Sequence, residues 1–184
     1  LYKAVTRIIR GGELLDEEVT SFGFRSFYFD NDKGFFLNGR RLLLKGVCCH
    51  QDHAGVGVAL PDSIHEMRIQ TLKEYGVNAY RCAHNIPAKE ILDACDKYGL
   101  VVMDENRRFE TDSDTILNVR TMVKRDRNHP SVILWSLFNE EKIQGSGRSY
   151  VKLKTDEQTL IVGLAGERLL RSFKFYAVFK DSED

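Results

Sequence analysis

Apolar and polar positions follow two different periods along this chain. From Leu1 to about Phe29 they alternate every second residue, which predicts two short strands, Tyr2–Ile9 and Glu18–Phe24, joined by a Gly11-Gly12 turn. Two strands bury no core of their own, so this piece is expected to lean on something else or to be a remnant of a larger sheet. From Gly34 the pattern changes. Short apolar runs at Leu42–Val47, Val77–Cys82, Leu100–Met103 and Val132–Leu137 are separated by segments of helical period, which reads as successive βαβ units.

The first helix is signalled by Ser63-Ile64-His65-Glu66, a capping box in which the serine oxygen and the glutamate each satisfy a free backbone N–H, and it should run to Tyr75 and stop at Gly76. The second is expected to start at Pro87 and to place Ile91, Leu92, Cys95 and Tyr98 on one face before Gly99. The third covers Asp114–Arg127, with Ile116, Val119 and Val123 inward and Pro130 limiting it. Continuous apolar runs such as Leu100–Met103 and Val132–Leu137 suit parallel strands buried on both faces. An α/β fold follows, and the period alone fits a doubly wound sheet or a (β/α)8 barrel equally well. Beyond these units, Asp156–Arg171 is expected to form an amphipathic helix and Ser172–Phe179 a strand.

Composition narrows the function classes. With 42% apolar and 29% charged residues in a chain of 184, most of it should fold, and Lys plus Arg balance Asp plus Glu at 27 each. No excess charge points to nucleic acid or to an acidic membrane surface, and no run approaches the roughly 20 apolar residues of a spanning helix. A neutral small molecule or another protein is the expected partner. Cys48, Cys49, Cys82 and Cys95 lack the paired spacing of a zinc site and read as small buried fillers. The chain opens at Leu1 directly into strand-like alternation, so its true start and any leader are expected upstream.

Each predicted barrel strand ends in polar residues that packing does not require: His50-Gln51-Asp52-His53, His84-Asn85, Asp104-Glu105-Asn106-Arg107 and Asn139-Glu140-Glu141. Delivery of acids, imidazoles and amides to one rim is what an active site at the C-terminal face of a parallel barrel needs. Sugar chemistry in particular calls for hydrogen-bonding groups around several hydroxyls and two carboxyls flanking the scissile bond. Glu140 follows a buried strand and would act as an acid at neutral pH if desolvation or a nearby carboxylate raised its pKa.

The runs Phe22-Gly23-Phe24-Arg25, Gly34-Phe35-Phe36-Leu37-Asn38-Gly39, Lys45-Gly46-Val47, Gly76-Val77-Asn78-Ala79-Tyr80-Arg81-Cys82-Ala83-His84-Asn85 and Arg125 through Glu140 resemble, in order and spacing, consecutive motifs of glycoside hydrolase family 2. The resemblance implies an immunoglobulin-like β-sandwich leading into a (β/α)8 barrel that cleaves terminal β-linked sugars with retention, most nearly as a β-galactosidase. Residues 1–29 would then be the last sandwich strands, 30–141 the first half of the barrel with its first four βα units, and 142–184 a divergent tail from a truncated or frame-shifted reading. It implies Glu140 as general acid/base, Asn139 as a sugar-hydroxyl contact, His50 and His84 as imidazoles lining the pocket, and Arg81 as an arginine near a nucleophile that lies beyond this chain.

Some members of that family hold magnesium with a Glu-x-His pair after the third strand. Asn106-Arg107-Arg108-Phe109-Glu110-Thr111 has no histidine, so no cofactor is expected here. Phe138 also stands where the family usually has glycine. Asp104 and Glu105, adjacent on a strand, should face opposite sides, and Glu105 reads as a rim or salt-bridge residue. His65 and His129 read as capping or packing residues, and Trp135 as core or a wall of the barrel. Two rival functions follow: a non-catalytic carbohydrate-binding fragment, and a metal-dependent hydrolase built on His50, Asp52 and His53. With four strands and open edges, the chain alone is expected to be inactive and to self-associate as a homo-oligomer.

Overall fold

The computed structural model describes residues 1–107, 113–137, 139, 150–155, 158–163 and 178–180. Among them, a two-stranded hairpin, β1 (Tyr2–Arg10) and β2 (Glu13–Phe22), comes first, followed by a small antiparallel sheet of β3 (Phe27–Asp30), β4 (Gly34–Leu37) and β5 (Arg40–Arg41). The centre is a parallel sheet of β6 (Gly46–Cys49), β7 (Ala79–Cys82), β8 (Val101–Glu105) and β9 (Val132–Ser136), in that order. Its crossovers carry α1 (Asp62–Glu74), α2 (Lys89–Tyr98) and α3 (Ser113–Asp126). Consecutive parallel strands joined through helices are the start of a (β/α)8 barrel, preceded here by strands of a β-sandwich.

Two layers of apolar residues hold the barrel units together. On the helix side, Tyr80, Cys82, Val102 and Val132 pack with Ile69, Leu92, Cys95 and Met122. On the opposite face, Ala79, Val101, Met103 and Leu134 pack against Phe27, Phe35 and Leu37, so the small β3–β5 sheet covers the lower part of the barrel interior. Residues 79 and 81, and 101, 103 and 105, share a face by strand parity. The same inward stripe that is apolar at its base therefore ends in Arg81 and Glu105 at its top.

Several expected boundaries move, each for a local reason. The second strand begins at Glu13 and not at Glu18, because Arg7 pairs with Glu17 across the ladder at 2.6 Å and carries the charged stretch into register. The first barrel strand is Gly46–Cys49 and not Leu42–Val47. The Asn78 side chain occupies the preceding positions, accepting from Lys45 N at 2.7 Å and donating to Leu43 O at 2.9 Å, so the ladder starts only at Gly46 opposite Ala79. Helix α1 has Pro61 as its N-cap residue and no side-chain cap. Glu66, expected to close a capping box, instead takes Lys97 Nζ at 2.5 Å and the Tyr98 hydroxyl at 2.8 Å, tying α1 to α2. Helix α2 starts at Lys89, two residues after Pro87, and ends at Gly99 in the left-handed conformation at φ 72°.

The final three strands, β10 (Tyr150–Thr155), β11 (Gln158–Gly163) and β12 (Val178–Lys180), form an antiparallel sheet. Residues 158–163 are thus strand, not the expected helix. Thr159, Ile161 and Val162 are β-branched and favour the extended chain. No helix among the described residues is long and apolar enough to cross a membrane. Cys82 and Cys95 are buried as expected, whereas Cys48 is exposed and Cys49 half-buried, and all four thiols are free.

Candidate functional site

At the C-terminal ends of β7, β8 and β9 the polar side chains converge on one buried carboxylate. Glu105 has no exposure to solvent. Its Oε2 accepts from Arg81 Nε at 2.8 Å and from Ser136 Oγ at 2.9 Å, and forms an ion pair with Arg81 Nη2 at 2.7 Å. Its Oε1 lies 2.7 Å from His84 Nδ1. Arg81 Nη2 also donates to Asn139 Oδ1 at 2.7 Å, and His84 stands edge-on to His50 with ring centroids 5.2 Å apart. Burial opposes the charge on Arg81, but the hydrogen bond and charge of Glu105 outweigh it and raise its pKa. Four of the five residues singled out in the sequence, Arg81, His84, Asn139 and His50, are therefore neighbours. The fifth, Glu140, lies outside the described residues.

Glu105 is the residue that sequence reasoning undervalued. Strand parity set it on the face opposite Asp104, but its position as the common partner of two other strands appears only once the register Glu105 opposite Ser136 is known. Asp104, on the other face, is buried beside Asp126, as the parity argument requires. Cys48 joins the inward group at the margin, with its Sγ 3.9 Å from Arg81 Nη1.

The loop after β6 is held by α1: Arg68 donates to the backbone carbonyls of His50 at 2.9 Å and Asp52 at 2.6 Å. His53 Nδ1 is engaged with the carbonyl oxygen of its neighbour Ala54 at 2.9 Å. His50, Asp52 and His53 do not converge as a ligand set. Among the described residues one group of potential metal ligands does converge, Asp93, Asp96 and His129, but Asp96 already accepts from His129 Nδ1 at 2.7 Å and Ser131 N at 2.8 Å. It also sits at the end of α2 and before β9, the lower face. At the rim, Glu105 is committed to Arg81, His84 and Ser136. A cavity of about 220 Å³, lined among others by Cys49, His65 and Tyr80, opens on the helix side of the sheet, away from the polar cluster.

Comparison with known proteins assigns this arrangement to a family. The model of the TIM-barrel domain of glycosyl hydrolases family 2 matches residues 30–111 and 107–161. The chain belongs to glycosyl hydrolase family 2. Within it, the chain is similar to the β-galactosidase BoGH2A of Bacteroides ovatus, 40% identical over 174 residues that make up 88% of this chain and 20% of that protein. It is also similar to a β-glucuronidase of Bacteroides fragilis, 36% identical over 83% of this chain and 24% of that protein. Among solved structures, a family 2 member from Bacteroides cellulosilyticus aligns with a TM-score of 0.70 at 40% identity, over 75% of this chain and 20% of that one. β-Glucuronidase 3 of Bacteroides uniformis gives 0.68 at 40% identity, over 74% and 18%. The chain therefore spans about a fifth of the length of the relatives it matches.

Proposed function

We propose that this chain supplies the acid/base half of the active site of a retaining glycosidase that removes terminal β-linked sugars, with a galactoside as substrate. In this scheme Glu140 protonates the departing glycosidic oxygen while a carboxylate on a later barrel strand attacks the anomeric carbon. Glu140 then takes the proton from the water that releases the sugar. Asn139, His84 and His50 hold hydroxyls of the sugar, and Arg81 fixes Asn139 from behind. The proposed division of the chain follows: residues 1–29 end the sandwich domain, 30–141 begin the catalytic barrel, and 142–184 diverge from the family pattern.

The observation that carries the reading is the convergence of Arg81, His84 and Asn139 on Glu105 at the mouth of the parallel strands. The positive charge of Arg81 is matched there by Glu105, which favours a neutral sugar over a uronate. Relatives named as β-galactosidases and β-glucuronidases both occur, and charge balance is what separates the two readings for this chain. Calorimetry with galactose and with glucuronic acid tests it: saturable binding of galactose, weakened at least about tenfold by Asn139→Ala, is expected. Preference for the uronate would reverse the substrate assignment. Turnover of a nitrophenyl β-galactoside by the purified chain is expected to be negligible, and hydrolysis abolished by Glu140→Gln would contradict the division of the catalytic pair.

A further inference from the structure

We infer that Glu105 is a positioning residue that fixes the proton of His84 on Nδ1, and so presents Nε2 to the pocket as an acceptor for a sugar hydroxyl. The inference rests on the sugar-binding reading for its ligand but on geometry for its mechanism. In its ion pair with Arg81, Glu105 is a carboxylate with no proton of its own to give. The guanidinium of Arg81 has donors only. His84 Nδ1 lies 2.7 Å from the carboxylate oxygen and 3.3 Å from Arg81 Nη2, so a proton on Nδ1 satisfies the shorter contact, whereas a bare Nδ1 could accept only the longer one from Arg81 and would set its lone pair against the carboxylate. In water a neutral imidazole prefers its proton on Nε2. The buried carboxylate reverses that preference, and a ring nitrogen with a free lone pair accepts a hydroxyl hydrogen where the ordinary tautomer would donate one.

The same carboxylate orders the rest of the wall. Arg81 Nη2, held by Oε2 of Glu105, is the group that grips Asn139 Oδ1 at 2.7 Å, which leaves the amide nitrogen of Asn139 as the donor toward a ligand. One acceptor at His84 and one donor at Asn139 match two hydroxyls of a sugar in opposite senses. Glu105 touches neither hydroxyl; it sets the polarity of both contacts through their partners, as outer groups do for metal-bound histidines.

The test is the nitrogen NMR spectrum of the histidine-labelled chain, without sugar, on the alkaline side of the imidazole titration. His84 is identified by its loss in His84→Asn. The expected pattern is a protonated Nδ1 and an unprotonated Nε2 in the wild type, inverted in Glu105→Gln, whose amide can donate to Nδ1. A wild-type His84 protonated on Nε2 overturns the inference whether or not the variant folds, and so does an unchanged pattern in a folded Glu105→Gln. Since no ligand is added, failure of sugar binding bears on the proposed function alone, and failure of the tautomer bears on Glu105 alone.

Discussion

Arg25, in the segment between β2 and β3, donates through Nη2 to the backbone carbonyl of Val132 at the start of β9. Two residues earlier, a Cβ on Gly23 would lie 2.7 Å from Pro130 Cγ, closer than atoms pack. The entering chain is therefore stitched to the lower face of the barrel by one long-range hydrogen bond and one close backbone approach. Gly23→Ala must push a rigid ring aside and should cost about 1–3 kcal/mol. Arg25→Ala, which removes a charge-assisted bond, should cost about as much. Urea unfolding curves with unchanged slope would register both.

Asp104 is buried on the helix side, where the neighbouring carboxyl of Asp126 is the side-chain hydrogen-bond partner for a proton held between them. Burial first, and Asp126 beside it, push its carboxyl well above the carboxylate range. The native state then keeps a proton that the unfolded chain releases, so this contribution to stability is full below the unfolded pKa and falls as pH rises toward the native one. Asp104→Asn removes the dependence. We expect the variant to gain on the wild type as pH rises from about 5 to about 8, by up to about 1.4 kcal/mol for each pH unit over which only the native state holds the proton. Denaturant midpoints at each pH read this directly.

His129 is shifted in the same direction for a different reason, since here the charged form is the one favoured. Burial lowers its pKa, but the Asp96 hydrogen bond at 2.7 Å and the charges of Asp96 and Asp93 outweigh burial, and the net shift is upward. Its ion pair contributes stability below the unfolded imidazole pKa, and that contribution is lost as pH rises through the raised native value. His129→Gln should therefore cost about 1.5–3 kcal/mol near pH 6 and less near pH 9, measured as the difference in unfolding free energy.

The four thiols should separate by access. Cys48 is exposed, whereas burial pushes the Cys82 and Cys95 thiols up and closes them to reagents. A maleimide in native buffer should label Cys48 first, Cys82 and Cys95 only on unfolding, as read by peptide mass spectrometry.

Most of the architecture was legible because the chain punctuates it. Gly76 and Gly99 close α1 and α2 at φ 81° and 72°, a conformation that favours glycine, and the apolar runs between them have nowhere to go but a buried sheet. The rim was legible too, since His84 and Asn139 each follow a strand that packing alone would end in apolar residues, whereas Arg81, inside β7, was marked only by the family resemblance. What could not be read was pairing over distance. Glu66 looks like a cap from its neighbours and is claimed by Lys97 and Tyr98 thirty residues on. Glu105 reads as a rim or salt-bridge residue beside Asp104, and which groups of the two neighbouring strands it joins is set only by register. Local pattern names the elements; the contest between near and remote partners for a polar group is decided by the assembled sheet.

The interior stripe that turns from Met103 to Glu105 within two residues separates two kinds of evolutionary freedom. Drift among the aromatic and aliphatic side chains under the β3–β5 sheet alters how readily the chain folds and leaves ligand preference alone. On the proposed function, exchange of residues in the loop beyond Arg81 should retune which sugar is bound at less cost to folding, because the apolar base below is packed separately. A selection experiment that randomises the rim and spares the base should accordingly recover new specificities faster than new instabilities.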